Sequence, residues 1–214
     1  MSDTKMQDPG SQERFADDTA EHQLAVLHDD GLYRHLRFQK PGTGIGWFDL
    51  ITWPGNLAIR GDCGTFTFAR LDDMFEFFRG NRINPGYWAE KTPGGTRSCK
   101  EYSQEKLNRR VAEELAEAEP ERPGITAAWA EKVSGEWPGW PEYDTTYEHE
   151  ARRALDEFRY LPDGSTEKPF EFWSTCEWDL TDWRWEFLWC CYAIQWGIQQ
   201  YDAARTAATS GSAA

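Results

Sequence analysis

Two groups of side chains in this chain have types and spacings suited to chemistry. The first is basic: Arg34, His35, Arg37, Lys40 and Arg60, interleaved with Tyr33 and Phe38. Guanidinium groups beside aromatic rings on a sheet can hold a phosphate while a base stacks. The same residues suit an exposed sheet face or an edge strand guarded by charge. Close by, Gly42-Thr43-Gly44-Ile45-Gly46 has the look of a phosphate loop. Such a loop needs a helix N-terminus after it, so that backbone amides face the phosphates. A strand follows here, and the run reads as a hairpin loop.

The second group is acidic. Glu113, Glu114, Glu117, Glu119 and Glu121 form the densest carboxylate run. A solvated helix face explains it without function. A sharper reading is a surface with phosphate-like spacing that competes for the basic groove of a nucleic-acid-binding partner. His35, Asp49, Asp62 and His149 are the remaining residues from which an acid–base or metal site could be assembled, and their separations force no proximity. The chain has no H-E-x-x-H, nucleophile elbow or Cys–His signature. No metal or cofactor is expected, and a binding protein is favoured over an enzyme.

Charge is distributed unevenly. The net charge is −14, which argues against direct contact with nucleic acid. Residues 31–100 nevertheless carry 10 basic and 6 acidic side chains (net +4), while residues 101–160 carry 8 and 15 (net −7). The five cysteines, Cys63, Cys99, Cys176, Cys190 and Cys191, include an adjacent pair and no CxxC, so they read as reduced thiols. Residues 1–30 are polar and acidic without the apolar core of a leader peptide. Both features predict a cytoplasmic protein.

The elements that must position these groups follow from periodicity. Residues 33–39, 46–53, 57–60 and 65–69 alternate or are β-rich, and short Gly- and Pro-containing turns join them. They predict an antiparallel meander of three or four strands. Helical spacing follows at residues 71–79, at 103–119 (Leu107, Val111, Leu115), and at 145–160, where Thr145 and Glu148 match a capping box. Residues 182–205 are apolar nearly all round, through Trp185, Leu188, Trp189, Tyr192, Trp196 and Ile198, which demands a central helix. The fold class is therefore α+β. Residues 1–20 read as a disordered acidic arm, with a short helix at residues 20–27 as its end. Residues 21–205 read as a single domain and 206–214 as a disordered tail. Residues 120–144 are proline-rich, but Trp129, Trp137 and Trp140 favour a packed loop over a linker.

Four stretches are distinctive: Phe48-Asp49-Leu50-Ile51-Thr52-Trp53-Pro54-Gly55, Arg70-Leu71-Asp72-Asp73-Met74-Phe75-Glu76-Phe77-Phe78, Tyr87-Trp88-Ala89-Glu90-Lys91, and Phe187-Leu188-Trp189-Cys190-Cys191-Tyr192-Ala193. Together they resemble a family of uncharacterised accessory proteins of temperate phages and prophages, over residues 33–92 and 145–203. The resemblance transfers no catalytic residue. It implies a host protein as partner and, as function, inhibition of a host defence complex such as a CRISPR or restriction nuclease, with nucleic-acid mimicry as one route. The alternative is an enzyme or sensor binding a nucleotide-like small molecule at the basic β region. A structural role in the virion ranks lowest.

Overall fold

The computed structural model describes residues 9–80, 82–134 and 142–211. Trp137 and Trp140 lie outside these. The chain divides into two compact units, where the sequence reads as a single domain: one runs up to Lys100 and resumes at Trp183, the other is Glu101–Asp182.

In the first unit, α1 (Pro9–Thr19) precedes five strands in sequential antiparallel order. These are β1 (Gln23–Asp30), β2 (Tyr33–Gln39), β3 (Phe48–Trp53), β4 (Asn56–Gly61) and β5 (Gly64–Ala69). The turns form as their residues dictate. Pro54-Gly55 closes β3 onto β4 with Gly55 at φ +81°, the left-handed position that a type II turn reserves for glycine. Short helices α2 (Met74–Phe78), α3 (Pro85–Ala89) and α4 (Gly95–Ser98) follow, α2 capped by the Asp73 carboxylate on the Phe75 amide.

The long helix α8 (Trp185–Gly211) returns after the second unit and closes the core. Phe38 and Phe48 stack on β2 and β3 with centroids 4.8 Å apart, and Trp196 meets Phe38 edge-on at 5.4 Å. Trp189 meets Phe48 edge-on at 5.5 Å. The helix reaches the sheet because position 197 is glycine. A Cβ there would stand 2.8 Å from Leu50 Cδ1 and 3.1 Å from the Phe38 ring.

Both chain ends depart from expectation. Residues 9–19 are helical because Phe15 lies against Trp189, Tyr192 and Trp196 of α8, and Asp18 accepts the Trp189 indole N–H at 2.9 Å. The expected short helix at residues 20–27 is instead mostly β1, which makes the meander five-stranded. In β1 every residue but Leu24 is exposed, so pairing with β2 rather than burial defines it. At the other end α8 continues to Gly211, through much of the expected tail.

The second unit carries α5 (Gln104–Ala118), α6 (Ile125–Ser134), α7 (Glu148–Glu157) and a 3-10 turn at Thr175–Glu177. Ser103 caps α5, and Leu107, Val111 and Leu115 are buried, as their spacing predicts. Trp129, Phe158 and Phe172 meet edge-on or tilted within 5.5 Å of one another in this unit's core. The capping box at Thr145 does not form. Tyr147 occupies the cap position without a side-chain bond, while Thr145 is buried and its hydroxyl accepts from Gln104. The strands β6 (Lys100–Tyr102) and β7 (Thr181–Trp183) pair where the chain passes between units.

Two substitutions test the packing of α8. Trp189, 2% exposed, replaced by Ala should cost about 3–5 kcal/mol. Gly197→Val should destabilise by about 1–3 kcal/mol through overpacking, although valine is the better helix former. Urea unfolding of both variants checks this, and a wild-type midpoint for either would contradict the placement of α8.

Candidate functional site

The basic residues of β2–β4 do not form one group. Strand alternation sends Arg34 inward with Leu36 and Phe38, and sends His35, Arg37 and Arg60 to the opposite face. Arg34 is buried over the Phe75 ring and forks onto both oxygens of Asp73 at 2.9 Å. It is a structural ion pair and cannot join the other three at a phosphate.

Those three converge on Asp49, a carboxylate only 1% exposed. Arg37 Nε and Nη2 donate to its two oxygens at 2.7 and 2.9 Å, His35 Nε2 stands 3.1 Å away, and Arg60 Nε 3.8 Å. Both guanidinium groups also lie over Trp47, at 4.7 and 5.0 Å from its ring. Burial raises the Asp49 pKa, but the hydrogen bonds from Arg37, with the His35 ring beside them, outweigh it and hold the carboxyl below its ordinary value. Chain separation alone does not force His35 and Asp49 together, but the β2–β3 register places both on one face.

Asp62 lies elsewhere, where its carboxylate accepts the Gly46 N–H at 2.7 Å, and His149 is exposed on α7 in the second unit. The Gly46 carbonyl meets His22 Nε2 at 2.7 Å, so both polar groups of that glycine are taken and the glycine run is a clamped hairpin loop. Among the described residues no group of three His, Cys, Asp or Glu could hold a metal ion.

The carboxylates of α5 separate by role. Glu119 is structural: one oxygen accepts from the Gly124 N–H at 2.7 Å and the other from the Thr126 N–H and hydroxyl at 3.0 and 2.6 Å. The Thr126 hydroxyl and these amides lower its pKa. It caps the start of α6 with both of its oxygens. Glu121 is exposed beside Arg122. Glu113 and Glu117, one helical turn apart, face solvent, and Glu113 also stands 3.8 Å from Arg110. Glu114 sits about 60° around the helix from Val111 and pairs with Arg110.

That last pair borders a cleft of about 600 Å³ that no local pattern announces. Its other walls come from the turn after α7: Trp173, Glu177, Trp178 and Asp179. Ser174, at φ +50° the one non-glycine residue with positive φ among those described, reverses the chain directly after Trp173. The turn is fixed from beneath. Thr175 donates to Asp156 at 2.6 Å, the Thr175 carbonyl accepts from Arg152 at 3.2 Å, and the Leu180 carbonyl accepts the Ser103 N–H at 2.8 Å. Trp173 is 84% exposed, the most exposed large apolar side chain described. Arg110 lies over the Trp178 ring at 5.2 Å.

No family model, curated protein or solved structure matches the chain.

Two measurements test these assignments. Because the Asp49 pKa is depressed in the fold, its contribution is complete above the ordinary carboxylate pKa of about 4 and is lost as pH falls through the folded value. The stability gap between wild type and Asp49→Asn should be widest at neutral pH and narrow below about pH 4; a gap independent of pH contradicts the assignment. Separately, burial pushes the Cys63 thiol up to about 11 and raises Cys190 and Cys191 further, whereas Cys176 beside the cleft is exposed. A disulfide-exchange reagent should modify Cys176 first in the native protein, and all five thiols after denaturation without reductant. Fewer than five would mean that a disulfide is present.

Proposed function

We propose that the chain is a non-enzymatic binding protein of phage or prophage origin that acts in the bacterial cytoplasm. It binds a host protein through the acidic surface of its second unit and inhibits it. The phage context comes from the four distinctive stretches. A nucleic-acid-binding defence complex, a CRISPR or restriction nuclease, is the partner whose basic groove this charge would suit. What carries the reading is the solvent-facing pair Glu113 and Glu117, which has no role in the packing of α5 and lies in the −7 segment. No helix among the described residues is long and apolar enough to cross a membrane.

The test begins with affinity purification of the tagged chain from its host. A stoichiometric nuclease or surveillance complex is the expected product. Capture should weaken between 0.1 and 1 M salt, as the Debye length falls from about 10 to about 3 Å. Glu113→Lys with Glu117→Lys should abolish it while the circular dichroism stays that of wild type. Glu114 is left in place as the nearer of the two partners of Arg110, and Glu119 because it holds the start of α6. Undiminished capture by the folded double variant would remove the acidic helix as the contact.

One observation favours the alternative of a nucleotide-binding enzyme or sensor: three basic groups share the single carboxylate of Asp49. Against it, Arg37 is already forked onto that carboxylate and Trp47 is covered by two guanidinium groups. Common nucleotides should give no thermal shift. A shift abolished by Arg37→Glu would put the alternative first.

A further inference from the structure

We propose that β1 is a self-association edge, along which a second copy of the chain adds its own β1 antiparallel and joins the two five-stranded sheets into one. The pairing is independent of the acidic surface of the second unit and goes beyond the function proposed for it.

β1 ends the sheet, with β2 on one side and no strand on the other. The N–H and C=O groups of a strand point alternately to its two sides, so an edge strand offers half of them outward. Among the described residues, no hydrogen bond reaches the backbone of residues 23–30 except from β2. Proteins guard such edges with charge, proline or a bulge. β1 is guarded at one end only. Its bulge falls between Val26 and His28, and His28, Asp29 and Asp30 follow. The run before them, Gln23-Leu24-Ala25-Val26-Leu27, carries no charge and no proline, and Val26 and Leu27 are 50% and 52% exposed.

Charge and symmetry select a second copy as the occupant. The chain has a net charge of −14, so two copies repel, and a contact between them is least opposed over a neutral stretch. The run is also self-complementary. A two-fold axis through Ala25 opposes Ala25 to itself, Leu24 to the second copy's Val26, and Gln23 to its Leu27. Residues of equal parity share a face, as symmetric antiparallel pairing requires. Leu24 packs on the core of the first unit, whereas Val26, next along the same face, is left half-exposed. Directly opposed side chains have Cβ atoms about 4.5–5.5 Å apart, so each copy's Leu24 covers the other's Val26. The acids Asp29 and Asp30 stay outside the paired run, and Asp29 already accepts from Tyr201 at 2.9 Å.

Sedimentation velocity of the full chain tests the pairing. Small interfaces of this kind are weak and transient, so the chain should be monomeric at about 1 µM and dimeric above about 100 µM. Raising salt should strengthen the dimer by screening the like charge of the two copies, the opposite of its effect on capture of a basic host partner. Ala25→Lys, at an exposed position, should leave the circular dichroism unchanged and weaken the dimer by about tenfold, since two ammonium groups then meet at the axis. Two further variants in a Cys176→Ser background fix the register. Directly opposed residues lie within the Cα separation that a disulfide spans. Diamide, which takes up the two thiol hydrogens, should therefore link Ala25→Cys into a dimer and leave Val26→Cys, one residue either side of the axis, unlinked. A monomer throughout the concentration range, or a dimer that Ala25→Lys leaves intact, would overturn the proposal. Linkage through Val26→Cys alone would overturn the register. Hydrogen exchange at the amides of residues 23–27 should slow as the chain is concentrated. Slowing only on addition of host lysate would assign the edge to a host strand and overturn the second copy. A dimer with no captured host complex would reject the function proposed above and leave the edge standing, and capture by a strictly monomeric chain would do the reverse.

Discussion

The first unit depends on how closely α8 approaches the sheet. Gly197 removes the side chain that would hold the helix away, and the rings of Phe38, Phe48, Trp189 and Trp196 close around the contact. An aromatic core of this kind packs by edge and face, so each ring fixes the angle of the next. Phe15 joins the same cluster and thereby fastens α1, and Trp189 completes the joint by donating to Asp18. One missing side chain on a helix thus sets the position of the sheet, of α8 and of α1.

Charge inside this unit is organised around two carboxylates placed by strand parity. Asp73 holds Arg34 on the inner face, and Asp49 gathers His35, Arg37 and Arg60 on the outer one. In each case burial alone would favour the neutral acid, and hydrogen bonds to cations reverse that preference. The basic block in the sequence is therefore largely the counter-charge of its own acids. The excess negative charge of the second unit has less internal compensation: Arg110 is shared by Glu114 and, at 3.8 Å, Glu113, while Glu117 is turned to solvent.

What could be read in advance follows from which residues announce themselves by period. β2 to β5 alternate and end at Pro54-Gly55 and at Gly61 and Gly64, and α5 repeats its apolar residues every fourth position; these were legible. β1 was not, because it buries almost nothing and owes its shape to hydrogen bonds with β2. α1 has one buried ring, Phe15, and owes the rest of its anchorage to Asp18 and Arg14 on the indoles of α8. The inward turn of Arg34 was legible in principle, since it shares parity with Leu36 and Phe38, but a cluster of basic letters hid the alternation. The acidic run was visible, yet Glu119 could not be distinguished as a cap without Gly124 and Thr126 in space. The cleft was hidden altogether. Trp173 and Trp178 lie in an aperiodic turn, where nothing in the local pattern separates a buried tryptophan from an exposed one.

The division of the chain carries a consequence for the order of synthesis. The sheet is complete by Ala69, but the helix that covers its apolar face begins only at Trp185, after the whole of the second unit. At roughly 5–20 residues per second, a ribosome needs several seconds or more to cover that distance. During that interval Leu36, Phe38, Phe48 and Leu50 have no α8 to pack against, while the second unit, continuous in sequence, can fold as it emerges. The nascent chain therefore carries an open sheet with an aromatic face, and its last helix closes a fold begun by its first strands.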